Sequence, residues 1–205
     1  MVQYSLDHDV RIRILFAIAI SSVLIAPLIR NMVGASAVIV APSAMTLFFI
    51  LWWIFDKWIW RFLGINILFN LPNLNGDWKG IVTTPGTNRD EESITTECKL
   101  NITQTLSKIN ITLETEGSIS KTIIAGMAIS NPQQIEIRFA YEVRSTGPNT
   151  ITLKERGEGF NSLRLITEKD GKALLKGEYF SDVIYVGTNK SHSGFVEVEK
   201  KSNDG

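Results

Sequence analysis

The chain is poor in the side chains that most chemistry requires. Its 205 residues include one cysteine, Cys98, and two histidines, His8 and His192. A single thiol excludes a disulfide-stapled module and a cysteine-rich zinc site. Two imidazoles leave no ligand-spaced set for a metal and little for a triad. A nucleophile elbow and a phosphate-cradling glycine loop are also missing. Glu97, Glu114 and Glu136 fall on polar strand faces, where solvation accounts for them. No catalytic residue, metal ligand or resident cofactor is therefore expected, and an enzyme is disfavoured. Net charge is absent too, with 21 basic and 21 acidic residues. Long nucleic acids bind proteins that carry excess Lys and Arg, so DNA or long RNA is not an expected partner.

Charge is also missing locally. Residues 14–55 contain a single charged side chain, Arg30, whereas residues from 71 onward hold 16 basic and 18 acidic ones. The neutral total is thus a sum over an apolar third and a slightly acidic remainder. Ile14 to Ile29 is uninterrupted by charge. Extended back to Val10 it reaches 20 residues, enough for a bilayer core of about 30 Å at about 1.5 Å per residue, with Arg11 and Arg13 snorkelling to the headgroups. A cleaved signal peptide would end at a small-residue site and release a soluble chain. Instead a second run, Ala35 to Phe55, follows after a short turn. Four of the five tryptophans, Trp52, Trp53, Trp58 and Trp60, cluster near its end, as at a membrane–water interface.

These runs predict two transmembrane helices, over about 10–29 and 35–55, forming a hairpin within residues 1–57. Arg11, Arg13, Lys57 and Arg61 flank its ends, and only Arg30 lies in its turn, so the positive-inside rule puts both termini in the cytoplasm. An unpaired cysteine agrees with a reducing compartment. The glycosylation-type triplets at Asn101, Asn110 and Asn189 are then chance matches. Small residues such as Ala17, Ala19, Ser21, Ser22, Gly34, Ala35 and Ser36 permit close helix packing, within the hairpin or between copies. No ionisable residue marks an ion path through the spans. Residues 58–74 stay apolar and predict a stiff connector helix that ends at Pro72.

From Asn75 the period changes to two. Ile135, Ile137, Phe139, Tyr141 and Val143 alternate with polar neighbours, as do Ile109, Ile111 and Leu113. Turn signals separate the runs, among them Asn131-Pro132, Gly147-Pro148-Asn149 and Asp170-Gly171. Eight strands are predicted, over 77–84, 92–105, 108–116, 119–130, 134–144, 160–168, 172–181 and 193–200, without a crossover helix. Residues 75–205 should thus form an antiparallel, up-and-down, eight-stranded β-barrel. A two-sheet sandwich is the alternative. Gly76-Asp77-Trp78 at the first strand resembles the lipocalin signature, in which the ring plugs one end of the barrel.

Two apolar spans followed by such a barrel, with PNLNGDWKG at its start and LKGEYFSD near its end, resemble the two-transmembrane, minimal-lipocalin effectors of CBASS and related anti-phage systems. The resemblance implies a multi-pass protein of the bacterial inner membrane whose cytoplasmic barrel senses a cyclic dinucleotide made by a partner nucleotidyltransferase or synthase. It further implies a homo-oligomer whose helices disrupt the lipid bilayer and kill or arrest the infected cell. The ligand either activates the effector or holds it silent. The alternative function is a membrane-tethered, lipocalin-like carrier of a small hydrophobic ligand. A cyclic dinucleotide requires flat surfaces for two bases and donors for two phosphates. Tyr141 and Tyr179, near strand ends, are the candidate stacking residues. Arg144 and Arg164 are the candidate cations, and Asn189, in the loop before the last strand, a candidate base-edge donor.

Overall fold

A computed structural model describes residues 1–5, 8–33, 43–62, 71–86, 92–131, 134–146, 156–168, 172–182 and 192–201. The chain divides into two compact units, one of Met1–Ser5 with Pro72–Gly205, the other of Leu6–Leu71.

In the second unit, α1 runs His8–Val33 and α2 runs Ala44–Lys57, and the two are in contact. Within α1, Arg11–Met32 has a mean hydropathy of 2.4, long and apolar enough to cross a membrane. Unlike the core helix of a soluble domain, it exposes most of its apolar surface, including Phe16, Val23, Leu24 and Leu28. Its two hydroxyls fold back onto the helix, Ser21 Oγ donating to the Ala17 carbonyl at 2.8 Å and Ser22 Oγ to the Ala19 carbonyl at 2.7 Å. That leaves neither hydroxyl bare on the apolar surface.

The second helix begins later than the hydropathy predicts. Ser43 is extended and caps it, its Oγ accepting from the Thr46 amide at 3.1 Å. A serine that satisfies a first-turn amide ends the helix there, so α2 has 14 residues rather than 21. Residues 34–42 lie outside the described set. Of the connector expected over 58–74, residues 63–70 lie outside the described set. Trp58 closes α2, one 3₁₀ turn spans Ile59–Arg61, and Phe62 is extended; residues 71–75 have no regular structure. The Lys57 ammonium sits over the rings of Trp53 and Trp58, at 5.4 and 5.0 Å from their centroids.

The first unit is all β. Its strands are β1 (Val2–Ser5), β2 (Gly76–Thr84), β3 (Ile94–Gln104), β4 (Lys108–Thr115), β5 (Ser118–Asn131), β6 (Gln134–Ser145), β7 (Arg156–Thr167), β8 (Ala173–Ser181) and β9 (His192–Lys200). From β2 to β9 each strand pairs antiparallel with the next, and β9 pairs back onto β2, closing the barrel. The strand spans follow the period-two runs closely, with one addition. Direct pairing of β4 with β5 covers only Thr112–Thr115 against Ser118–Lys121. Where those strands part, β1 fills the gap, antiparallel to β4 (Val2 opposite Ile109) and parallel to β5 (Tyr4 opposite Ala125). At the point of divergence the Thr122 hydroxyl bridges to Ile111, accepting from its amide and donating to its carbonyl. A register shift between Thr122 and Ile124 then changes which residues of β5 face inward, as a bulge does.

The core fills the barrel with Leu100, Ile102, Ile109, Ile111, Ile137, Phe139, Leu163, Leu175 and Val198. Trp78 stoppers one end. It is buried, and its indole N–H donates to the Leu74 carbonyl at 3.0 Å. The Lys200 ammonium lies over its ring, with burial holding its pKa below the usual lysine range. Gln104, fully buried beside it, ties two segments together: its Oε1 accepts from the Leu74 amide and its Nε2 donates to the Tyr4 hydroxyl.

Candidate functional site at the barrel mouth

The inward positions change character along several strands. From the stopper outward, β3 reads Ile102, Leu100, Cys98, Thr96, and β4 reads Ile109, Ile111, Leu113, Thr115. Because neighbouring strands are antiparallel, the hydroxyl-bearing ends of β2, β3, β4, β5 and β8 meet at one rim. There they line a cavity of about 420 Å³, a size typical of small-molecule sites. Its wall combines Val82, Ile94, Leu113, Val143 and Val196 with the hydroxyls of Thr84, Thr96, Thr115, Ser118, Ser120 and Ser181, and two tyrosines, Tyr141 and Tyr179. Among the described residues, no lining side chain is charged.

The tyrosines lie flat against the wall because their cross-strand partners are glycines. Tyr141 is opposite Gly159 and Tyr179 opposite Gly194. A Cβ at either glycine would collide with the facing ring. The missing side chains thus make room for the rings and leave the lumen open between them. Each hydroxyl is anchored, Tyr141 donating to the Phe180 carbonyl at 3.2 Å and Tyr179 hydrogen-bonded to the Thr84 hydroxyl at 2.5 Å.

One layer deeper, between Phe139 and Tyr179 in the register, sits Asn161. It is 2 % exposed, and its Oδ1 has no hydrogen-bond partner among the described residues. A buried acceptor left unpaired costs about 1–3 kcal/mol, so it is where a donor from a bound molecule or water is expected. Cys98, also inward, is buried; desolvation pushes its thiol pKa up to about 11, which keeps it neutral and unreactive.

The structure therefore brings Tyr141 and Tyr179 together and places the two candidate arginines elsewhere. Arg144 points outward from β6 and pairs with Glu142 at 3.5 Å. Arg164 is on the outer face of β7, in a groove with Glu136 and Lys176. Both follow from the period of two, which sets even-numbered residues of β6 and β7 outside. Asn189 lies outside the described residues. Among those described, no group of three or more His, Cys, Asp or Glu could hold a metal. The hydroxyl ring and Asn161 were not singled out from sequence. The available signal was the common switch from Ile or Leu to Ser or Thr at inward positions near the turns.

A barrel stoppered at one end, with a cavity lined by apolar side chains, hydroxyls and two tyrosines at the other, has the form of a small-molecule binding site. Residues 69–202 match the family described as Cap15, cyclic dinucleotide receptor domain. The match covers well over half the chain, and the chain belongs to this family of CBASS effectors. No curated protein matches it.

Proposed function

We propose that the mouth cavity binds a cyclic dinucleotide made by a partner nucleotidyltransferase, and that occupancy controls assembly of the apolar helices of several copies in the bacterial inner membrane. Disruption of that membrane then kills or arrests the infected cell. The observation that carries this reading is the cavity itself. Its two wall tyrosines offer flat faces to bases, worth about 1–3 kcal/mol per stacked base. Its hydroxyls offer donors to phosphate oxygens. Most of the exposed lining is apolar, and it is the match to a cyclic dinucleotide receptor family that favours a nucleotide over the small hydrophobic ligand that a lipocalin-like carrier would take.

On this reading α1 is the first membrane crossing, and the apolar run from Ala35 to Phe55 supplies the second, with both termini and the lipocalin-like barrel in the cytoplasm. The link between ligand and membrane is a population shift. A ligand moves an equilibrium toward the state it binds better, whether that state is the assembled or the silent one. The test expresses the full chain with and without a cyclic-dinucleotide synthase and follows membrane potential with a voltage-sensitive dye. Depolarisation in one condition but not the other, lost on deletion of residues 8–57, is the expected result. An intact potential in both conditions contradicts the reading.

A further inference from the structure

The outer face of the barrel carries an aromatic cluster that ligand binding at the mouth does not use. Phe160 of β7 and Phe180 of β8 are directly opposed, and Phe195 of β9 lies one rung further on, opposite Glu178. All three point outward and are 44 %, 49 % and 56 % exposed. They border a cleft of about 500 Å³. Contiguous exposed aromatics of this kind mark interaction surfaces.

The charges bracketing the cluster specify its partner. Glu158 and Arg164 are outward-facing residues of β7, three positions to either side of Asn161. Neither has an ion-pair partner among the described residues. The carboxylate nearest Arg164, that of Glu136, already accepts from Arg138 and Ser162. A two-fold axis lying in the plane between two facing copies, perpendicular to β7 at the level of Asn161, sets Glu158 of one copy opposite Arg164 of the other, twice, with the phenyl rings enclosed between. The two charges stand roughly 20 Å apart along the strand, at about 3.3 Å per residue. An anionic lipid or an acidic peptide would match one end of this patch and oppose the other. A second copy of the chain matches both, as an isologous interface requires.

We propose that this face of β7, β8 and β9 is a self-association surface on which two copies dock about that axis, with reciprocal Glu158–Arg164 pairs. It lies on the outer face, since Gly159 and Asn161 face inward while Phe160 and Ser162 face outward; Tyr179 borders both the cleft and the mouth cavity, and the surface does not depend on the identity of the ligand. The test uses the full chain in isolated membranes, with and without a panel of cyclic dinucleotides. Ser162→Cys, close to the axis, is oxidised with copper phenanthroline and read on a non-reducing gel. Lys99→Cys, exposed on β3 across the barrel, is the control. The expected result is a dimer band for Ser162→Cys and none above background for Lys99→Cys. Adding Arg164→Glu should weaken the band roughly five- to thirty-fold, the equivalent of 1–2 kcal/mol. Adding Glu158→Arg as well should restore it, because the reversed charges are complementary again. A Ser162→Cys band no stronger than the control in every condition, as expected if lipid covers the patch, overturns the proposal. So does a double reversal that fails to restore the band.

Discussion

Tyr141 and Tyr179 are the residues on which the ligand reading rests most heavily, and each is held by a glycine across the ladder. Truncating either to alanine should weaken cyclic dinucleotide binding by at least about five-fold, since one stacked base is worth about 1–3 kcal/mol. Arg144→Ala, on the outer face, should leave affinity within about two-fold. Equilibrium titration of the three variants checks both expectations, and equal losses at all three would argue against the cavity. The tyrosines were legible from sequence because they lie near the ends of strong period-two runs. The arginines were harder to place. Their even-numbered positions put them outside, but which strand ends surround an open lumen depends on the closed register and on Gly159 and Gly194, which no local pattern announces. Cys98 gives a second test at this scale. Its pKa is raised from 9.0 to about 11. The raised value contributes stability that is fully present below about pH 9 and lost as pH rises through about 11. Ellman's reagent at pH 8 should therefore label Cys98 only after unfolding, and the urea midpoint should fall between pH 9 and 11 more in the wild type than in Cys98→Ala.

At the scale of elements, the strands from β2 to β9 were largely readable because alternation survives wherever one face is buried. The missed element, β1, is Val2–Ser5, too short to display a period. It exists because β4 and β5 part beyond Thr112, a tertiary gap with no local signature. The helix that began late was missed for a different reason. Hydropathy does not register a cap, and Ser43 sits inside an apolar run. The clamp at Gln104 joins β1 to the segment before β2. Gln104→Leu would leave the Leu74 amide and the Tyr4 hydroxyl without that partner, at about 1–3 kcal/mol for each group left buried and unpaired. Its urea midpoint should fall clearly below wild type with the slope unchanged. Deleting residues 1–5 should move the midpoint in the same direction, and a midpoint at the wild-type value would show that β1 adds nothing to the barrel.

For the molecule as a whole, composition was the most legible feature. One charge in 42 positions separated the apolar third from the barrel before any element was drawn. The proposed function rests on joining a membrane-competent helix to a receptor barrel. The most direct test of the receptor half is calorimetric titration of the full chain in detergent micelles against a panel of cyclic dinucleotides, with Tyr141→Ala/Tyr179→Ala as the control. Saturable binding of at least one member to the wild type, lost in the double variant while its fold persists, is the predicted result. No heat from any member, or binding that survives loss of both tyrosines undiminished, would contradict the assignment of the mouth cavity as the cyclic dinucleotide site.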